Sequence, residues 1–397
     1  MYCEIMPWPI EIKGDKLVVW ERQGGTRGTK YFYILDPHRK RLIHVSQLFT
    51  SVLEGTSRAG RRRDYRHEVS LTVLRKELGP EITLFMFWYT NKGYGPSTTK
   101  YIINCSRKTI EEERADTASV SVYEFEVLGP EREWIELYEK YVHKMMDTVR
   151  NIVNKLGIDV LFAGRARRLE DLYTNSKLGL INALIQPSWQ SRQKALETYV
   201  RSTHELYVLF LAADSLDAKT IYHISSDGKP YWWIEYASDF STAVVETSTD
   251  RKYTFWFQFS PKKWWDVVRE GWIYAMFGRP IGQLPPSRQY VRPDIVIMRG
   301  EYQHRSDLKR ATPALVVLID AKISFDEADF KQLEGYAKNF GKLFGEKVIY
   351  IVACLDRIPP RYKRMLERIG YHIIEEVVPG EKGEKRFQDF IRKVLWE

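Results

Sequence analysis

Arg292-Pro293-Asp294-Ile295-Val296-Ile297, followed by Ala314-Leu315-Val316-Val317-Leu318-Ile319-Asp320-Ala321-Lys322, is the stretch whose reading decides the fold. Its two apolar runs are too short for helices and are bounded by proline and glycine, so both read as strands, at 294–298 and 314–320. Asp294 opens the first and Asp320 closes the second. Lys322 stands two positions past Asp320 and therefore on the same face, because side chains in a strand alternate with period two. Twelve positions beyond Asp320 comes Gln332-Leu333-Glu334-Gly335-Tyr336, on a helix expected over 326–344. Gln332 and Tyr336 are four apart and share a helix face.

Working outward, the pattern stays α/β on the C-terminal side. A helix is expected from about 194 to 216, then strands at 231–236, 242–247 and 253–259, a short helix at 262–277, and a loop over 300–312. After the 326–344 helix come a strand at 347–353 and a final αβα tail. Strands mixed with helices in this order predict a layered α/β domain over 196–397. On the N-terminal side, residues 1–129 read as strands and turns around one short helix near Leu71–Leu78. Between the two, Trp134, Leu137, Tyr141, Met145, Val149, Ile152 and Leu156 recur at helical spacing, and a second helical pattern covers 169–185. A helical connector is therefore expected over 130–195. The predicted fold class is a multidomain α/β protein.

Composition excludes several classes. A chain of 397 residues exceeds one ordinary domain, and 44% hydrophobic with 28% charged residues is globular rather than disordered or fibrous. Its longest apolar runs, 206–213 and 348–355, are too short to span a bilayer, and no leader pattern is seen, so a cytoplasmic protein with no membrane partner is expected. Cys3, Cys105 and Cys354 are too few and too scattered for disulfides or a four-cysteine cluster. The formal charge of +9 suits a polyanionic partner. Arg61, Arg62 and Arg63, with Arg58 and Arg66, form a cluster expected on a loop that could touch nucleic acid. The same residues could equally be solvated surface.

An Asp-x-Lys triplet is common, and Asp217-Ala218-Lys219 and Asp250-Arg251-Lys252 are two more. Position separates Asp320-Ala321-Lys322 from these, since it closes a buried strand beside a second strand with its own acid. Two carboxylates at neighbouring strand ends can hold Mg²⁺ or Mn²⁺, which takes oxygen ligands and is usually held by one or two carboxylates plus substrate phosphate. Asp294 and Asp320 are the expected ligands, with the main-chain carbonyl of Ala321 a third. Lys322 would offset charge on a phosphate or orient water.

Pro293-Asp294, Asp320-Ala321-Lys322 and Gln332-x-x-x-Tyr336 together resemble the PD-(D/E)XK nuclease superfamily, in its RecB-like Q-x-x-x-Y form. That resemblance implies a restriction-endonuclease-like core in the order helix, three strands, helix, strand, and a metal-dependent DNA endonuclease in defence, restriction or repair. The gap of 26 positions between the acids, longer than in minimal members, implies an insertion over 301–313. A further acid on the preceding helix is implied, with Glu205 the candidate and Glu246 its competitor. The overall layout is similar, more weakly, to McrC-type restriction subunits, whose front module contacts a motor. The chain has no G-x-x-x-x-G-K-[ST] motif, so such an NTPase motor would be a separate subunit. The resemblance leaves a homodimer open. The contrasting reading is a non-catalytic nucleic-acid-binding or assembly subunit on a nuclease-like fold. Zinc-protease, serine-hydrolase and dinucleotide signatures are missing.

Overall fold

The region between Ile10 and Ala115 is rich in strands, as its β-branched and aromatic runs between turn residues lead one to expect. In the computed structural model, which describes residues 9–24, 29–56, 62–90, 94–115, 120, 123–125, 131–162, 189–223, 229–234, 240–259, 292–309, 312–344 and 347–396, this region carries nine strands and two short helices. They are β1 (Ile10–Lys13), β2 (Lys16–Gly24), β3 (Thr29–Asp36), β4 (Arg41–His44), α1 (Val45–Leu48), β5 (Thr50–Thr56), β6 (Arg62–Ser70), α2 (Leu71–Leu78), β7 (Glu81–Thr90), β8 (Tyr94–Asn104) and β9 (Thr109–Ala115). With β10 (Glu124–Phe125) they make one ten-stranded sheet in the order β5-β6-β2-β3-β7-β8-β9, with β1 on β2, β4 on β3 and β10 on β4. Leu17, Val19, Phe32, Ile34, Leu84 and Ile103 form its core with Leu71, Leu74 and Leu78 of α2. Ser70 caps α2 by accepting from the Thr72 and Val73 amides. Gly79 ends it at φ 107°, a conformation that only glycine adopts cheaply.

A carboxylate is deeply buried among these strands. Glu21 of β2 is 2% exposed and is approached by His44 Nε2 at 2.9 Å and His67 Nε2 at 3.6 Å. Each imidazole is anchored through its other nitrogen, His44 Nδ1 on Ser46 Oγ and His67 Nδ1 on Ser51 Oγ, both at 2.7 Å. Burial opposes ionisation of Glu21, yet the two histidines outweigh it and hold the carboxyl at about 2.

The arginine cluster differs from expectation. Arg62 and Arg63 are not on a loop; they open β6, paired with Gly24 and Gln23 of β2. Arg66 lies further along β6 and forms ion pairs with Glu54 and Glu68. The segment Arg62-Arg63-Asp64-Tyr65-Arg66 has too few apolar residues to show the strand period, and cross-strand pairing overrides that composition. Arg63 is exposed, whereas Arg58 and Arg61 lie outside the described residues.

The rest of the chain contributes α3 (Glu131–Leu156), β11 (Asp159–Phe162), α4 (Trp189–Asp214), β12 (Ala218–Tyr222), β13 (Tyr231–Ile234), β14 (Ala243–Thr247), β15 (Lys252–Phe257), β16 (Ile295–Arg299), β17 (Val316–Lys322), α5 (Glu327–Phe344), β18 (Val348–Cys354), α6 (Pro360–Arg368), β19 (Tyr371–Ile374) and α7 (Lys382–Trp396). The protein is thus a mixed α/β chain. It divides into two compact units, residues 1–137 with 174–199, and residues 138–173 with 200–397. The stretch read as a connector is shared between them, the boundaries falling inside α3 and α4. The helices expected at 169–185 and 262–277 lie outside the described residues. A 3₁₀ turn, Arg305–Lys309, occupies the expected 300–312 loop.

In the second unit the sheet runs β12-β14-β15-β16-β17-β18-β19. Strands β12 to β17 pair antiparallel in this order, and β18 and β19 add on parallel. A separate parallel pair joins β11 to β13. Strand β17 is central and buried almost throughout, which explains its unbroken apolar run from Val316 to Ile319. Val296, Met298, Val316 and Leu318 pack with Leu333, Tyr336 and Phe340 of α5. Among the described residues no helix is long and apolar enough to cross a membrane.

Candidate active site

Register builds the site. β16 pairs with β17 from Met298↔Val316 to Ile295↔Ile319, so Asp294, one step further, stands opposite Asp320. β15 pairs with β16 up to Phe257↔Ile295, and the Gln258 amide continues by donating to the Asp294 carbonyl. Gln258, Asp294 and Asp320 therefore stand abreast at one edge of three adjacent strands. Strand β17 runs on through Lys322, two residues beyond the predicted end, which keeps Asp320 and Lys322 on one face.

Asp294 accepts a hydrogen bond from the Ala321 amide, N to Oδ2 2.9 Å. Ala321, expected to act through its carbonyl, is thus tied to the site by its N–H. Asp320 is 2% exposed; Lys322 reaches its Oδ2, and no N–H among the described residues reaches its Oδ1. Lys322 Nζ lies 3.2 Å from Asp320 Oδ2, 3.2 Å from Asp329 Oδ1 and 2.9 Å from Gln332 Oε1. Burial works against the ammonium, but the carboxylates around it prevail and hold the charge more firmly than in water.

Gln332 then donates to Tyr336 Oη at 2.5 Å, and Tyr336 donates to the Arg292 carbonyl at 2.8 Å. The four-residue spacing on α5 thereby links Lys322 to the backbone two residues before Asp294. Burial raises the Tyr336 phenol well above its ordinary range, so it stays a donor.

Glu205, on α4, is buried and accepts a hydrogen bond from Gln258 Nε2. Burial and the Asp320 charge raise its carboxyl to about 7, against the lowering effect of the Gln258 bond. Burial, then the charges of Asp320 and Glu205, push the Asp294 carboxyl far above the usual range. Glu246, the competing candidate, sits on β14 with Lys219 at 3.8 Å and is not among the groups that perturb these acids.

Two participants escaped the sequence reading. Asp329 had a signal, being one turn before Gln332 on the same helix face. It also exchanges amide hydrogen bonds with Asp326, Asp326 N to Asp329 Oδ2 3.1 Å and Asp329 N to Asp326 Oδ1 2.9 Å. Gln258 had none, because a glutamine between two phenylalanines looks like a strand residue.

The charges do not balance. Asp320, Glu205 and the half-buried Asp294 with Lys322 leave two negative charges in excess if all ionise, and burying unpaired charge is costly. Among the described residues, no three His, Cys, Asp or Glu side chains converge to cage an ion by themselves. Two acids suffice for Mg²⁺, which keeps waters and shares phosphate oxygens. The Asp320 Oδ1, with no donor among the described residues, and the excess charge both fit a divalent cation.

No protein-family model matches this chain, and no curated protein matches it in sequence. Two solved structures share limited similarity. Protein VC1899 from Vibrio cholerae aligns with TM-score 0.24 and 10% identity over 75% of this chain and 66% of that one. Can2 from Sulfobacillus thermosulfidooxidans, solved in complex with cyclic tetra-adenylate, aligns with TM-score 0.24 and 10% identity over 74% of this chain and 64% of its own. Likeness at this level carries no argument about function, and this chain spans slightly less than two thirds of each protein's length.

Proposed function

We propose that the second unit is a divalent-cation-dependent phosphodiesterase acting on nucleic acid, in the first instance a DNA endonuclease of the PD-(D/E)XK type. One observation carries the reading: Asp320 and Glu205, buried, and Asp294, half-buried, lie together beside Lys322, and each raises the cost of ionising its neighbours. A merely structural group of acids would be matched by as many counter-charges.

Asp294 and Asp320 would hold the cation, Mg²⁺ or Mn²⁺. When bound, that ion acidifies water and neutralises charge on a phosphate. Lys322 is kept charged by Asp320 and Asp329, and is aimed by Gln332. It would set a fixed ammonium against the negative charge that grows on phosphate oxygens during hydrolysis. Tyr336 and Gln332 keep that ammonium and the Asp294 segment in one arrangement, so little reorganisation is left to the reaction. Glu205, with its carboxyl near neutrality, can take or release a proton within the site. The basic balance of the chain, +9, would concentrate a polyanionic substrate near it.

The test is cleavage of labelled duplex and single-stranded DNA, and of RNA, with Mg²⁺, Mn²⁺ or chelator. Wild-type protein should cut in a metal-dependent way and Asp320→Ala should not. Equal cutting by both would sink the reading. Metal-independent nucleic-acid binding without cutting, equal in both proteins, favours the non-catalytic subunit instead.

A further inference from the structure

Gln258 is the one site residue whose role the proposed chemistry leaves open. Three observations set it apart. Its backbone is in the left-handed region, φ 48°, where a non-glycine residue is strained and persists when its surroundings over-determine it. Strand alternation breaks there: Trp256 and Phe259 pack in the same core with ring centroids 5.2 Å apart, although residues three apart on a regular strand face opposite ways. Finally, the side chain is 5% exposed and half used. Nε2 donates to Glu205, whereas Oε1 is buried and no hydrogen-bond donor reaches it from the described residues.

A buried amide oxygen without a donor costs free energy, roughly 1–3 kcal/mol. A strained backbone adds to that cost, so the arrangement calls for a ligand that restores the balance. The residue is held on both sides by acids of the site, its backbone N–H by the Asp294 carbonyl and its side-chain amide through Nε2 by Glu205. Amide carbonyls are good oxygen ligands for hard divalent cations. The acids alone do not complete a three-donor set.

Resting on the nuclease reading, we infer that Gln258 Oε1 is a further ligand for the divalent cation held by Asp294 and Asp320. Glu205 then acts behind it, fixing the amide so that oxygen rather than nitrogen faces the ion. A neutral ligand serves here because a fourth carboxylate would deepen the charge excess of the empty site.

The experiment is Mn²⁺ binding to the full chain, read by calorimetry and by loss of the free-ion electron paramagnetic resonance signal. Wild type is compared with Gln258→Met and Gln258→Glu. Methionine keeps the volume and removes the oxygen; glutamate keeps an oxygen and removes the donor to Glu205. Ligation predicts at least tenfold weaker binding by Gln258→Met and binding by Gln258→Glu at least as tight as wild type. A residue that merely positions Glu205 would weaken both variants alike, and that result overturns the inference, as does Gln258→Met binding like wild type. If Gln258→Met does not fold, by its melting curve, the Gln258→Glu comparison with wild type decides alone. Wild type that binds no Mn²⁺ removes the nuclease reading itself, and this inference with it.

Discussion

Two buried acidic clusters, one in each unit, show opposite ways of placing charge inside a protein. Around Glu21 the charge is matched. Two imidazoles converge on one carboxylate, each steadied by a serine hydroxyl, and the acid is held ionised at about 2. Around Asp320 the same chemistry is left short. Asp294, Asp320 and Glu205 lie around one lysine, Asp294 and Glu205 are pushed toward their protonated forms, and Asp320 Oδ1 lacks a donor among the described residues. Burial is comparable in the two places, so burial alone does not mark a functional site. What differs is whether the fold supplies the counter-charge or leaves it to a ligand.

The largest expected effect tests that contrast directly. Asp320→Ala should lower metal-dependent phosphodiester hydrolysis by on the order of 10³-fold, as loss of a fixed electrostatic contact in a dry site does. It should leave the melting temperature unchanged or higher, because a like charge is removed. A marked fall in stability would place Asp320 with Glu21 as a structural acid. Glu21→Gln is the mirror case. It should cost roughly 3 kcal/mol in chemical denaturation, since it breaks a buried pair, and leave hydrolysis per folded molecule unaltered. Lost activity in a folded Glu21→Gln protein would contradict the division drawn between the clusters.

The pH dependences should run in opposite directions. Glu21 titrates lower in the folded protein than in the unfolded chain. Its contribution is present above about 4.5 and lost as pH falls toward about 2. Glu205 titrates higher when folded. The metal-free second unit should therefore lose stability as pH rises from about 4.5 to about 7, by on the order of 3 kcal/mol. Millimolar Mn²⁺ should return the loss at pH 8. Melting curves at pH 5 and 8, with and without Mn²⁺, check both halves, and a Glu205→Gln protein without the rising-pH loss sharpens the assignment. The smallest effect expected is Tyr336→Phe, which removes the bond to the Arg292 carbonyl but leaves Lys322 and both aspartates. Hydrolysis should fall about tenfold, as for other groups that orient ligands from behind. An unchanged rate would reduce Tyr336 to core packing.

Legibility in the sequence followed the same physical lines. β-branched and aromatic runs between turn residues marked the first unit as strand-rich, and the run Val316–Ile319 exposed a central buried strand, because hydrophobic burial writes itself on neighbouring residues. Asp294, Asp320, Lys322, Gln332 and Tyr336 were legible as strand-end and helix-face residues at fixed spacing. Arg62 and Arg63 were misjudged as loop because charge hides strand period. Gln258 was invisible, since a local reading has no access to a backbone strained by its neighbours.

The amino-acid sequence by itself therefore determined the element types around the site, the two strand-end acids and the lysine on their face. These depend on local period and on spacing along one strand or one helix. Only the tertiary structure decided that Asp294 faces Asp320, that Glu205 rather than Glu246 is coupled to them, and that Gln258 and Asp329 complete the surroundings. Those facts rest on register between strands and on helix packing from positions dozens of residues away. Cross-strand register is a property of pairs, and no single segment encodes it.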